Sequence, residues 1–186
     1  MTISSLTKPL ASVVSLVKIG VLFLFGMNAL GAESPFDDLK KLIRRRFPEV
    51  PQLSTQDLQA WLNDPSRPEP LLLDVRTERE FSVSHLPGAS RVDPSSNASE
   101  VIPFLPAGRS IVTYCSVGYR SSGMAQKLLK AGVKSVQNLE GSIFQWANDG
   151  RPLENNGKPA DKVDPFDAKW GKLLNENKRS FPISTK

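Results

Sequence analysis

Two short, unbroken apolar runs constrain this chain more than anything else in it: LLLDVR at 71–76 and SIVTYC at 110–115. A strand with water on one face alternates apolar and polar residues, whereas a strand covered on both faces does not. Runs this short suit strands, and continuous ones belong in a parallel sheet with helices on either side. Segments with helical signals stand between and around them. STQDLQAWLND (54–64) opens on a Ser cap and sets Leu58, Trp61 and Leu62 on one side. Thr77 and Glu80 have capping-box spacing, which opens a short helix. SSGMAQKLLKAG (121–132) turns Met124, Ala125, Leu128 and Leu129 inward and stops at Gly132. SIFQWANDG (142–150) reads as a short helix, ASRVD (89–93) and VKSVQNLEG (133–141) as strands, and HLPGAS (85–90) as a turn. Residues 94–108 read as a loop with a short helix inside. Strands that alternate with helices predict an α/β sandwich around a mostly parallel sheet, with ligands at the carboxyl ends of the strands.

The two ends of the chain read differently. Residues 1–32 carry Lys8 and Lys18 and no acid, and finish in the apolar run IGVLFLFGMNALGA. That run is shorter than the roughly 20 residues of a spanning helix. It predicts a secretory signal cut near Gly31 or Ala32, and so an exported, periplasmic protein. If Lys18 snorkels, the run extends back to Leu10, and an uncleaved membrane anchor is the alternative. Residues 33–53 predict a basic amphipathic helix and a linker: Phe36, Leu39, Leu42, Ile43 and Phe47 share one side, KK and RRR the other, and Pro48 and Pro51 end the helix. The basic side reads as a solvated face. The tail, 154–186, is polar apart from PFDAKWGKLL (165–174), which is expected to dock as a short helix and cover a face or edge of the sheet.

Composition narrows the function. The chain has 186 residues and a formal net charge of +5, too modest for a dedicated nucleic-acid surface. One cysteine excludes an internal disulfide, and with one histidine it leaves a structural zinc site without ligands. Cys115 therefore needs another reason to exist. It ends the second apolar strand, and CSVGYRS links it to the next helix. Gly118 permits a positive φ, so the loop amides can curl inward. The helix N-terminus and Arg120 add positive charge. A free cysteine is only about 3% thiolate at pH 7, while electropositive sites bring its pKa down to about 3.5–7.5. Cys115 thus reads as an accessible nucleophile that needs no base beside it, and His85 as a residue that fixes its turn. Two chemistries stay open: attack on phosphorus or arsenic, and attack on sulfane sulfur. The interval from Cys115 to Arg120 is C-x4-R, one residue shorter than the C-x5-R of phosphatases, and a tighter loop suits one sulfur atom better than a phosphoryl group.

Taken together and in order, LLLDVRTEREF, HLPGAS, IVTYCSVGYRSSGMAQKLLKAG and VQNLEGSIFQWANDGRPL resemble the single-domain rhodanese-like proteins, the thiosulfate sulfurtransferases and their kin. The resemblance runs from about Ser54 to Pro152. It implies a rhodanese-like three-layer α/β/α fold with a mainly parallel five-stranded sheet over residues 54–153. It implies that Cys115 carries a persulfide, and that Ser116, Val117, Gly118, Tyr119 and Arg120, with Ser121 behind them, cradle the substrate. It also implies that Asp74 and Arg76 lie near the site, at the end of the DVR strand, and bind the substrate. The activity implied is transfer of sulfane sulfur from a small anionic donor, thiosulfate or a persulfide, to a small thiol or protein acceptor, with cyanide serving in vitro. No cofactor, metal or nucleic acid is implied, and membrane contact only through an uncleaved N-terminal segment. A non-catalytic binding or sensing module is the alternative, and a cysteine-dependent phosphatase or arsenate reductase the third reading.

Overall fold

The two apolar runs lie side by side in one sheet. A computed structural model describes residues 35–181. The export segment read at 1–32 lies outside the described residues. Five strands form the sheet: β1 (Gln52–Leu53), β2 (Leu71–Asp74), β3 (Ser90–Arg91), β4 (Ile111–Tyr114) and β5 (Val136–Leu139). Their order is β1-β5-β4-β2-β3 and every pairing is parallel. The register of the two runs aligns Leu71 with Ile111 and Asp74 with Tyr114. Five parallel strands with helices on both faces make the mainly parallel α/β architecture expected from the sequence.

Among the described residues, six α-helices surround the sheet: α1 (Pro35–Arg46), α2 (Thr55–Leu62), α3 (Glu78–Phe81), α4 (Ala98–Val101), α5 (Tyr119–Lys130) and α6 (Ser142–Asn148). Alternate residues of each strand feed two separate cores. On one face Leu72, Val112 and Tyr114 meet Leu58 and Trp61 of α2 and Ile143, Phe144 and Trp146 of α6. On the other, Leu73, Val75 and Ile111 meet Ile43 of α1, Phe47, and Met124, Ala125 and Leu128 of α5. This two-sided burial is why the strands read as unbroken apolar runs. Each fully buried aliphatic or aromatic side chain contributes about 1.5–3 kcal/mol.

Two features differ from the sequence expectation. Helix α5 begins at Tyr119, two residues before the predicted start, because Gly118 takes φ +106° and serves as its N-cap. The tail holds a two-residue β-hairpin, β6 (Leu153–Asn155) and β7 (Lys158–Ala160). Asn156 and Gly157 both have positive φ, 51° and 71°, as the tightest hairpin turns require. Beyond it, Val163 and Leu174 are fully buried against the α2–α6 face, and Trp170–Leu173 forms a 3₁₀ turn. The hairpin is also tied to the turn at 85: His85 and Glu154 exchange both backbone hydrogen bonds, and the His85 ring stacks on Phe81 at 3.8 Å.

The topology fixes where chemistry can occur. From β4 the chain moves through α5 to β5 on one side; from β2 it moves through α3 to β3 on the other. The direction reverses between β2 and β4, and the crevice at their carboxyl ends is the expected ligand position. Beneath that crevice lies a buried ion pair. Arg76 Nε donates to Asp74 Oδ1 at 2.8 Å, and Arg76 Nη2 to Asp74 Oδ2 and to the Ser84 carbonyl, both at 2.6 Å. Both side chains are wholly excluded from solvent. Removing one partner of such a pair strands the other charge in a dry interior. Arg76→Ala is expected to lower the unfolding free energy by about 3–5 kcal/mol, read from urea denaturation; a loss below about 1 kcal/mol, the range of surface pairs, would contradict this account.

Candidate active site

Cys115 follows β4 directly, at the centre of the sheet and beside the crevice. Its loop is held from outside by its carbonyls. The amides of Ile143 and Phe144, in the first turn of α6, donate to the Cys115 and Ser116 carbonyls, each at 3.1 Å. The Cys115 amide donates to Ser142 Oγ at 3.1 Å, and that hydroxyl donates onward to the Leu139 carbonyl. Gly141 and Ser142 both take positive φ, 73° and 51°, to present these groups. With its carbonyls bound outward, the loop turns amides toward the sulfur: Gly118 N lies 3.1 Å from Cys115 Sγ. Gly118 is required for its φ, since a Cβ there would make only ordinary contacts, 3.4 Å from Asn138 Nδ2 and 3.5 Å from Ile43 Cδ1.

Ser121 lies one turn into α5 and is fully buried. Its hydroxyl donates to Asn138 Oδ1 at 2.6 Å, while Asn138 Nδ2 donates to Gln52 Oε1. A hydroxyl has one proton, so Ser121 has only its amide left for the sulfur. Arg120 is anchored just as firmly. Its Nη1 and Nη2 donate to Glu80 Oε2 and Oε1 at 2.9 and 2.7 Å, and Nη2 also reaches Ser116 Oγ at 3.0 Å. Ser116 Oγ in turn donates to Glu80 Oε1 at 2.8 Å.

These contacts set the charge on the sulfur. Burial pushes the Cys115 thiol up; the Arg120 guanidinium, with hydrogen bonding from Ser121 and the Gly118 amide, outweighs it and holds the thiol below its ordinary value. The carboxyl of Glu80 behaves in parallel. Burial pushes it up, yet Arg120 and the Thr77 cap bring it down to about 2.

The sequence predicts an accessible thiol, and here the structure differs. Cys115 is 1% exposed. It lines a cavity of about 330 Å³ together with Ser116, Val117, Tyr119 and Arg120. Leu39 and Leu42 of α1 and Phe166 and Trp170 of the tail supply the remaining walls. Glu80, Ser142 and Asn138, which order the loop, and these four wall residues escape the sequence reading. Asp74 and Arg76 correct it in the other direction. They sit at the end of β2 beside the loop, but their functional groups are fully buried and turned to each other and to Ser84, so no surface remains to touch a ligand.

The fold and loop now stand beside known proteins. The rhodanese-like domain family matches residues 54–149, just over half of the chain. This chain belongs to that family. A sulfurtransferase from Allochromatium vinosum is 31% identical over 108 residues, covering 56% of this rhodanese-like chain and 94% of that protein. The probable adenylyltransferase/sulfurtransferase MoeZ of Mycobacterium tuberculosis is 33% identical over 101 residues, 54% of this chain and 25% of that protein. A tRNA uridine(34) hydroxylase from Burkholderia ambifaria is 32% identical, over 58% of this chain and 40% of that protein. The match therefore spans a quarter to two fifths of the longer relatives. Among solved structures, a thiosulfate sulfurtransferase from Pseudomonas aeruginosa superposes with a TM-score of 0.55 at 25% identity, over 75% of this chain and 26% of that one. The rhodanese-like domain of an Anabaena protein does so with a TM-score of 0.52 at 26% identity, over 61% of this chain and 88% of that one.

Two expectations follow for this rhodanese-like site. Iodoacetamide alkylation of Cys115, followed against pH, is expected to show a midpoint below that of free cysteine. Arg120→Gln should raise it, and Arg120→Lys should raise it less; a wild-type midpoint at or above the free value would contradict the electrostatic account. Glu80 has a folded pKa below its ordinary 4.5, so its stabilisation is complete above about pH 4.5 and is lost as pH falls toward about 2. Urea midpoints of wild type should converge on those of Glu80→Gln through that window. A constant gap between the two proteins would show that the pair does not couple to folding.

Proposed function

We propose that the protein is a sulfurtransferase that carries sulfane sulfur as a persulfide on Cys115. The observation that carries this reading is the one-sulfur scale of the loop. Cys115 Sγ meets the Gly118 amide at 3.1 Å while the loop carbonyls are bound away from it. In the first half-reaction the thiolate attacks the outer sulfur of thiosulfate or a related donor. The donor S–S bond breaks, sulfite leaves with the bonding pair, and Cys115 holds the transferred sulfur. In the second, a thiolate acceptor, or cyanide in vitro, attacks that sulfur and the Cys115 thiolate returns. Each step is a substitution at sulfur and needs no general base, in keeping with a thiol held below its ordinary pKa and a His85 that serves its turn. Sulfurtransferase-named relatives support the class of reaction.

The pairing of Arg120 with Glu80 supports sulfur over phosphoryl or arsenate chemistry. A phosphoryl group needs an uncompensated cation and wide oxygen coordination, and here the guanidinium is already matched by a carboxylate. The basic N-terminus and apolar run of residues 1–32 support export, so we place the activity outside the cytoplasm.

The test is an intact mass before and after thiosulfate treatment, on wild type and Cys115→Ser. The wild type is expected to gain one sulfur atom, removable by cyanide, and the variant none. A freshly reduced wild type that gains no sulfur from any sulfane donor would favour the binding-module reading instead.

A further inference from the structure

The cavity above Cys115 is larger and more apolar than a thiosulfate ion requires. At about 330 Å³ it falls within the size range of sites that enclose whole organic ligands. Leu39, Val117 and Trp170 line it together with Leu42, Tyr119 and Phe166. The last three are also three of the five large apolar side chains exposed among the described residues. Exposed apolar side chains scattered singly need no explanation, but three gathered at one opening mark a binding surface.

Phe166 adds an independent observation. It holds φ +66°, a left-handed conformation that is strained for a bulky residue. The strain is maintained from beneath: its amide donates to Asp164 Oδ1 at 2.8 Å, and Asp164 is buried and paired with Arg79. The result sets the Phe166 ring over the Arg120 guanidinium, 5.0 Å from Cζ to the ring centroid. Among the residues lining the cavity, Arg120 is the one cation. Glu80 binds its donors and Phe166 covers a face of it. A small dianion entering here meets a compensated charge and apolar walls, where its oxygens lose water without replacement.

We infer that the sulfur donor preferred by this site is organic: a sulfane sulfur joined to an apolar body that fills the cavity, of the arenethiosulfonate kind. This rests on the persulfide reading of Cys115. The step balances without oxidant or reductant. The Cys115 thiolate forms a bond to the outer sulfur of Ar–SO₂–S⁻, the donor S–S bond breaks, and Ar–SO₂⁻ leaves with the electron pair. Two negative charges stand on each side.

The test compares thiosulfate, methanethiosulfonate and benzenethiosulfonate as donors to the purified full chain, with cyanide as acceptor. Each kcat/KM is divided by the rate of the same donor with free cysteine thiolate, which removes intrinsic reactivity. Burying one phenyl ring predicts a corrected preference for benzenethiosulfonate over methanethiosulfonate of about tenfold to a hundredfold. The preference should reside in KM. In Phe166→Gly, whose glycine relieves the strained φ, and in Trp170→Ala, the ratio should fall to a few-fold or less. A ratio does not change when a variant merely yields less folded protein. Equal corrected values for the two thiosulfonates in wild type, with Cys115 still gaining sulfur from each, would overturn the inference and leave the persulfide reading standing. Failure of every donor to load Cys115 would remove the persulfide reading, and the inference with it.

Discussion

One carboxylate, that of Glu80, ties the parts of the site together. It accepts from the Thr77 amide and hydroxyl, from both terminal nitrogens of Arg120 and from the Ser116 hydroxyl. It therefore closes the cap of α3, fixes the guanidinium beside Cys115 and holds the second residue of the loop. Without it, a half-buried guanidinium would stand unpaired next to a buried thiol, and the Ser116 hydroxyl would lose its acceptor. The bidentate geometry also limits the charge presented to a ligand. Arg120 is close enough to favour the thiolate, yet it is neutralised strongly enough that the cavity is not a general anion trap.

Much of this was legible in the sequence, and the legible part is local. The unbroken runs LLLD and IVTY suit two-sided strands, and the Ser54 and Thr77 caps mark helices whose hydrogen bonds are present at those positions. The turn Asn156-Gly157 carries a hairpin signature, but the polar residues around it lack the alternating apolar pattern that marks flanking strands. What could not be read is the second use of a residue that already has a first. Glu80 completes a capping box three residues from Thr77, so nothing in its neighbourhood asks for Arg120, forty residues on. Asp74 and Arg76 illustrate the converse: their sequence neighbourhood points at the crevice, but only the packing reveals that both side chains turn into the protein. The accessible thiol was misjudged for a similar reason. The cavity it lines is walled in part by Leu42 and Phe166, which are distant in sequence and stand in segments with no chemical signature of their own.

Four of the nine residues that line the cavity lie outside the family match, 54–149. Helix α1 lies before it, docked by the bidentate Arg44–Glu140 pair and by Lys40 on Gln145. Phe166 and Trp170 lie after it, held by Asp164 and by the burial of Leu174. A basic amphipathic helix and a polar tail, bland as sequence, thus become parts of the pocket through where they dock. Helix α1 also supports the loop from the side. Ile43 stands near Gly118, its Cδ1 3.5 Å from where a Cβ would lie, and Phe47, just beyond the helix, meets Tyr119 edge to ring at 5.4 Å.

This division has an evolutionary consequence. Cys115 and the groups bonded to its loop are locked into the central sheet, where Gly118, Asn138 and Ser142 leave little freedom to vary. Part of the cavity wall, Leu39, Leu42, Phe166 and Trp170, sits instead on flanking segments that are fastened by a handful of contacts. Substitutions at Leu42 or Trp170 can reshape the entrance while every bond around Cys115 persists. The groups bonded around Cys115 and the walls of its cavity can therefore drift separately, the first on β4, α5 and α6, the second on α1 and at Phe166 and Trp170.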